Sequence, residues 1–167
     1  ENSSKIKSIS GERPAVWLYI HGPSHHFAIS ASRRADILLP DAEKFSAINS
    51  LLEGNFRSYN TGLFSEAWEA KIYPDHGWGG KGGEITDRLF LSKFVKASED
   101  GEYLLSGALN RISSKIDFRS SAVPLVVFNG LNWKRSDPVK FAMAFNKGEA
   151  YGIVINDHEN RKIECQL

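Results

Sequence analysis

The sequence predicts an α+β protein in which a three-helix bundle is followed by a partial antiparallel β-sandwich. Two observations predict this class. Apolar residues recur at helical spacing from about Phe27 to Ile116, and the pattern changes to strand-like alternation after about Ser120. The 167 residues are enough for one ordinary domain or two small ones. The predicted parts are a leading strand and loop, a three-helix domain and the first strands of a sandwich, at residues 1–27, 28–119 and 120–167.

A short apolar run from Ala15 to Ile20 begins the pattern. It is rich in aromatic and β-branched residues and lies between Pro14 and Gly22-Pro23, so it predicts a buried strand. A buried strand needs neighbours on both sides, whereas the next hundred residues have a helical pattern. We therefore expect this strand to belong to a larger sheet.

Three amphipathic helices are predicted next. The first covers about 27–52 and contains Pro40, which should kink it or start a second helix because proline lacks an N–H group. The second covers about 65–73 and the third about 85–116, where Gly101 would permit a break. Connections of this size imply a small antiparallel bundle.

The β-region consists of short alternating segments. Turn residues such as Asn129-Gly130 separate them. A sandwich usually needs about seven strands, so we expect this β-region to be incomplete. The four predicted strands are 123–128, 139–145, 152–155 and 162–167.

Composition argues against several classes of function. Basic residues number 21 and acidic residues 20, and no basic stripe is visible, so nucleic-acid binding has no electrostatic support. No apolar run approaches the roughly 18 residues of a membrane-spanning helix. The single cysteine, Cys165, excludes an internal disulfide and a thiolate zinc cluster. The compartment is left open, because a chain without disulfides fits either redox environment.

The segment from Tyr73 to Gly83, here called the Gly-rich loop, is the strongest candidate for a functional site. Five of its glycines lie within seven positions, which predicts a shaped loop. It holds the carboxylate of Asp75, the imidazole of His76 and the indole of Trp78 close together. Ligand atoms beside an aromatic platform are typical of a metal site or a sugar site. The alternative is a tight structural connection.

A histidine-rich loop follows the predicted first strand. His21, His25 and His26 lie within six residues. For a metal role the favoured alternative is that they are polar loop residues, one of which caps the next helix. A place in a substrate pocket is expected for His25, because strand C-terminal ends carry the sites of parallel barrels.

The residues from Leu125 to Asp137 resemble the opening of the C-terminal β-sandwich region of family-38 glycoside hydrolases, the zinc-dependent retaining α-mannosidases. They read LVVFNGLNWKRSD where the family reads VVFNPLxWxRxD. The closing segment from Asn156 to Leu167 is similar to the DxxGxxVxxQ hairpin that follows there. Ala42-Glu43-Lys44 is similar to the R…AE ending of the segment that leads into the family's three-helix domain.

The stretch from Trp68 to Gly80 resembles W…xxHDxxxG, the loop that brings a histidine to the catalytic zinc in that family. Here the order is Asp75-His76, where the family reads His-Asp. The resemblance implies zinc as cofactor with His76 as its ligand and Asp75 as a neighbouring hydroxyl-binding group. Asp75 as the direct ligand is the alternative. Trp78 is the candidate for stacking on a sugar face, with packing over the end of the bundle as its alternative.

The resemblance implies hydrolysis of α-mannosidic bonds with retention, by two carboxylates that flank the scissile bond. In that family the nucleophile, the acid and most zinc ligands belong to a catalytic barrel, of which residues 1–27 would be the last strand and loop. We therefore expect a central piece of the enzyme, inactive alone, whose partners are an α-mannoside glycan and the remainder of its own polypeptide. Unpaired strand edges would also favour a homodimer.

The rival interpretation is a non-catalytic module that binds carbohydrate or another protein. It would use the Gly-rich loop and Trp78 as its contact surface. A carboxylate pair with the spacing of an acid and a base is absent from the sequence, and this absence favours the rival. Hydrolysis by the parent protein would distinguish the two.

Overall fold

The fold is described here from a computed structural model, which divides into two compact units, Glu1–Asn132 and Trp133–Leu167. The predicted strand at 15–20 lies outside the described residues. The structure describes four stretches of the chain: 26–72, 84–119, 122–149 and 151–166.

The first unit contains three helices packed together, as the sequence predicts. They are α1 His26–Glu53, α2 Thr61–Lys71 and α3 Glu84–Ser113. α1 continues through Pro40, so no second helix begins there, and α3 continues through Gly101.

α2 begins at Thr61 rather than at about Ser65 because Asn60 caps it. Oδ1 of Asn60 accepts a hydrogen bond from the N–H of Leu63 at 3.1 Å. This bond satisfies one of the free donors of a helix start. The cap therefore adds the first turn to the segment that apolar spacing alone predicts.

The core lies where α1 and α3 run side by side in the same direction, with α2 running antiparallel to both. Each of three buried clusters joins one level of α1 to a matching level of α3. From one end of the bundle to the other, the clusters are Ala28 with Phe90 and Phe94; Ala35 and Leu39 with Ala67, Ala70 and Ala97; and Ala42 with Phe64 and Leu104. This up-down-up order agrees with the predicted bundle.

Small residues on the core face of α1 allow the close approach of α3. Ala35 and Ala42 are fully buried. Gly101 of α3 faces α1, and a Cβ added there would lie 3.1 Å from Cβ of Leu38. Van der Waals contact between carbons is optimal at about 3.5–4.0 Å, so a larger residue at this position would force the helices apart.

The segment of residues 122–132, here called the returning segment, turns back along the bundle after α3. Phe128 packs edge-on against Phe45, with 5.5 Å between ring centroids, and the Lys44 ammonium donates to the carbonyl of Gly130. Because residue 128 lies beside residue 45 and residue 130 beside residue 44, this segment runs antiparallel to α1. The predicted strand 123–128 is not a strand in the structure and packs on helices instead.

The second unit contains a small antiparallel sheet. β1 Ile155–Asn156 pairs with β2 Lys162–Ile163. The carboxylate of Asp157 holds the turn between them by accepting hydrogen bonds from the N–H groups of Glu159 and Arg161, each at 2.9 Å.

This sheet is smaller than the predicted β-region. β1 and β2 lie at the predicted strands 152–155 and 162–167, whereas 139–145 has no strand pairing in the described residues. A strand needs a hydrogen-bonded neighbour as well as an alternating sequence. The described part of the chain therefore shows two paired strands and not a full sandwich.

Candidate functional site

The predicted site residues Asp75, His76, Trp78 and His25 lie outside the described residues. The structure does describe the helix ends from which their two loops depart. The site is therefore built here from those helix ends.

The helix ends next to both candidate loops lie at one end of the bundle. α1 begins at His26, directly after His25, and α3 begins at Glu84, directly after the Gly-rich loop. α1 and α3 run parallel, so both N-termini lie at this end. α2 runs the other way and reaches Lys71 before the same loop. The histidine-rich loop and the Gly-rich loop therefore join the bundle at a common end.

Lys71 holds the end of α2 from which the Gly-rich loop departs. Its side chain is only 14% exposed and pairs with Asp36 of α1 at 2.9 Å. Its ammonium also lies 5.8 Å from the ring centroid of Phe94 on α3, within range of a cation–π attraction. Sequence reasoning missed this residue because both partners are distant along the chain.

Trp68 joins α2 to α1 by a polar contact. Its indole N–H donates to Oε1 of Glu43 at 3.0 Å, and its ring packs against the core cluster of Leu39. The structure therefore places Trp68 at the edge of the core.

A partly buried polar cluster occupies the opposite end of the bundle. Asn49 is 1% exposed and donates to Oε1 of Glu53 at 3.1 Å and to Oγ of Ser58 at 3.0 Å. The Ser58 hydroxyl donates to Oε2 of Glu53 at 2.6 Å. Hydrogen bonds from Ser58 and Asn49, with Lys115 and Arg111 nearby, hold the pKa of Glu53 below its usual value.

We expect the Glu53 carboxylate to contribute stability that is lost in acid. The Glu53→Gln substitution should remove this contribution. The folded-state pKa of Glu53 is lower than its unfolded value of about 4.5, so the carboxylate stabilises the fold above that value. The contribution is lost as the pH falls through the folded-state pKa. We expect the Tm of the variant to lie below that of the wild type at neutral pH and to converge with it in acid. Thermal unfolding followed by circular dichroism across this range measures the difference.

Ser58→Ala gives a second reading of the same contribution. The hydrogen bond from Ser58 lowers the pKa of Glu53 most. Without it, the difference in Tm between proteins with Glu and with Gln at position 53 should become smaller at neutral pH. A Tm difference that stays constant from neutral pH to strong acid would contradict the role assigned to the Glu53 carboxylate.

An open groove of about 620 Å³ lies at the same end of the bundle as the polar cluster. It is far along the helices from the ends that flank the candidate loops, so it does not belong to the predicted site. Side chains of the last turns of α3 and of the returning segment line it: Leu109, Asn110, Ser113, Ser114, Ile116, Phe118, Pro124, Val126 and Phe128.

The described residues contain no group of three or more histidine, cysteine or carboxylate side chains that could hold a metal ion. The predicted zinc ligand His76 and its alternative Asp75 lie outside those residues. Within the same described stretches, no helix has the length and apolar character needed to cross a membrane.

No family model, curated protein or solved structure matches this chain.

Proposed function

We propose that this chain is the central part of a zinc-dependent retaining α-mannosidase of the family-38 type. The chain supplies the three-helix domain and the Gly-rich loop with His76. The nucleophile and the general acid belong to a catalytic barrel formed by the rest of the polypeptide. In the same enzyme a β-sandwich would follow the three-helix domain.

The observation that carries the proposal is that three separate stretches resembling the family meet on α1. Glu43, within Ala42-Glu43-Lys44, accepts the indole hydrogen bond of Trp68, which begins the W…xxHDxxxG-like stretch. The adjacent Lys44 donates to the carbonyl of Gly130, within the LVVFNGLNWKRSD stretch. These resemblances lie far apart in sequence, and their residues form direct contacts in the fold.

The position of the loops supports the same proposal. A zinc ligand on the Gly-rich loop would reach a neighbouring barrel from the end of the bundle that this loop joins. The Gly-rich loop joins that end between Lys71 and Glu84, and the histidine-rich loop joins it at His26. If a barrel strand and a loop lead into α1, as we propose, this end of the bundle would face the barrel.

Each site residue has a distinct proposed role. The neutral imidazole of His76 binds zinc, and the Asp75 carboxylate accepts a hydrogen bond from a sugar hydroxyl. Trp78 offers its ring to a sugar face, and His25 lines the substrate pocket. Bound zinc would hold sugar hydroxyls and support distortion of the ring.

The His76→Ala substitution in the full-length parent should lower zinc content and hydrolysis of an aryl α-mannoside together. Loss of one direct ligand weakens the metal site, and the glycosidase would depend on that metal. Zinc is measured by elemental analysis after dialysis, and activity with and without a chelator. His158→Ala is the matched control, because His158 has a well-exposed side chain in the turn between β1 and β2.

The possible outcomes test the identity of the zinc ligand separately from the hydrolytic activity. Activity that the chelator abolishes, with zinc content unchanged in His76→Ala, would remove His76 as ligand and favour Asp75. No hydrolysis by the metal-loaded wild type would reject the α-mannosidase and favour a carbohydrate-binding or protein-binding module. Glycan binding by the isolated chain, and its loss in Trp78→Ala, would then be measured.

A further inference from the structure

The only Asn-Gly pair in the sequence, Asn129-Gly130, lies where the returning segment is fixed to α1. Phe128, directly before the pair, packs edge-on against Phe45. The carbonyl of Gly130 accepts a hydrogen bond from the Lys44 ammonium. The two contacts that hold this segment on the helix are thus joined through Asn129.

Packing against α1 requires a glycine at position 130. A Cβ added to Gly130 would lie 2.8 Å from Oδ1 of Asp41 and 3.2 Å from its Cγ, closer than the van der Waals optimum of about 3.5–4.0 Å between carbons. The residue after Asn129 therefore has no side chain. Without a Cβ in the way, the backbone nitrogen of a glycine can approach the side-chain carbonyl of the preceding asparagine.

The side chain of Asn129 is turned towards the backbone that follows it. Its Oδ1 accepts a hydrogen bond from the N–H of Leu131 at 3.2 Å. A donor on this oxygen stabilises the negative charge that the oxygen gains when a nucleophile attacks Cγ. Asn129 is also exposed to water, and residues 123–130 belong to no helix and no paired strand of the described part of the chain.

We propose that Asn129 is a site of self-modification, at which its side-chain amide is converted to a carboxylate in the folded protein. The backbone nitrogen of Gly130 attacks Cγ of Asn129. Its proton passes through water to the amide nitrogen, which leaves as ammonia, and a succinimide ring is closed. Water then adds to one of the two ring carbonyls and breaks the bond from that carbonyl to the Gly130 nitrogen. Attack at the side-chain carbonyl gives aspartate, and attack at the backbone carbonyl gives isoaspartate.

The isoaspartate product would separate the two contacts on α1. In isoaspartate the main chain runs through the side-chain carbons of residue 129, which lengthens the backbone between Phe128 and Gly130. These two residues can then no longer both keep their places on the helix. Either product also adds a negative charge next to Gly130, beside which the Asp41 carboxylate already lies. We thus expect the modification to release the returning segment from α1 with time.

Ageing of the full 167-residue chain in mildly alkaline buffer tests the chemistry. Asn55 is an internal control, because it is exposed and its Oδ1 accepts from the N–H of Arg57 at 3.0 Å in the same kind of turn, but Phe56 follows it. Peptide mass spectrometry, with enzymatic methylation of isoaspartate, measures both sites. We expect conversion at Asn129 to be faster than at Asn55 by about tenfold or more, because Phe56 has a Cβ where Gly130 has none.

Proteolysis tests the release of the returning segment. The modified fraction is separated from the unmodified chain by its added negative charge, and both are treated with chymotrypsin, which cleaves after aromatic residues. Cleavage after Phe128 should be several times faster in the modified fraction, because a segment that leaves the bundle opens to proteases. Asn129→Gln is the matched control, since glutamine would have to close a larger ring. This variant should age without the change in cleavage.

Three results would overturn the proposal. Equal conversion at Asn129 and Asn55 would show that Gly130 does not promote the reaction. Conversion at Asn129 in denaturant alone would show that the fold protects the amide. Equal cleavage after Phe128 in the modified and unmodified fractions would show that the segment stays on α1. Each readout is independent of α-mannosidase activity.

Discussion

Leu39→Ala is expected to lower the free energy of unfolding by about 2–5 kcal/mol, the largest effect that we predict for one substitution. Leu39 is fully buried and packs among alanines of all three helices, including Ala35, Ala67 and Ala97. These neighbours have no side-chain length with which to fill the cavity. Chemical denaturation followed by helical circular dichroism measures the loss.

Ile37→Ala is the matched control for Leu39→Ala. Ile37 lies on the same helix and is 67% exposed, so its truncation should change the stability by no more than about 0.5 kcal/mol. Equal losses in the two variants would show that Leu39 is not at the centre of the core. A small loss in Leu39→Ala alone would show that the helices close around the cavity.

Gly101→Ala and Gly107→Ala should change stability in opposite directions although both lie within α3. Alanine favours a helix over glycine by about 1 kcal/mol. At Gly107 the new Cβ meets only the mobile end of Arg111, at 3.3 Å, so we expect a gain close to that value. At Gly101 it meets Cβ of Leu38 at 3.1 Å and Cδ2 of Leu39 at 3.3 Å.

The crowding at Gly101 should exceed the gain in helix propensity. Overpacking a dense contact costs about 1–3 kcal/mol, and Cβ of Leu38 is attached directly to the backbone of α1, so it cannot move aside by rotation. We expect a net loss for Gly101→Ala, measured by the same denaturation experiment. A gain at both positions would show that α1 and α3 do not approach closely at Gly101.

The sequence predicts the long helices well because periodicity is a local property. The predicted bounds of about 27–52 and 85–116 lie close to those of α1 and α3. Asn60 was a visible cap signal for the earlier start of α2, but the prediction relied on apolar spacing alone. For the candidate site, the sequence shows which residue types the Gly-rich loop contains. It does not show the distances among the ligand groups, because those distances depend on the neighbouring elements.

Several predictions changed because they depend on contacts between distant residues. The sequence suggested that α3 could break at Gly101. In the structure α3 is continuous, and Gly101 leaves room for Leu38 of α1. The alternation at 123–128 suggested a strand, but this segment packs on α1 and α3 instead of pairing with another strand.

The sequence by itself determined the three helices, the turn of the short sheet and the residue types of the candidate loops. Helix periodicity, turn residues and loop composition act within a few neighbouring residues, so they can be recognised from the amino-acid sequence. Only the tertiary structure decided that α3 approaches α1 closely at Gly101 and that Lys71 of α2 contacts both other helices. These features are distances between residues far apart in sequence, and packing alone sets such distances.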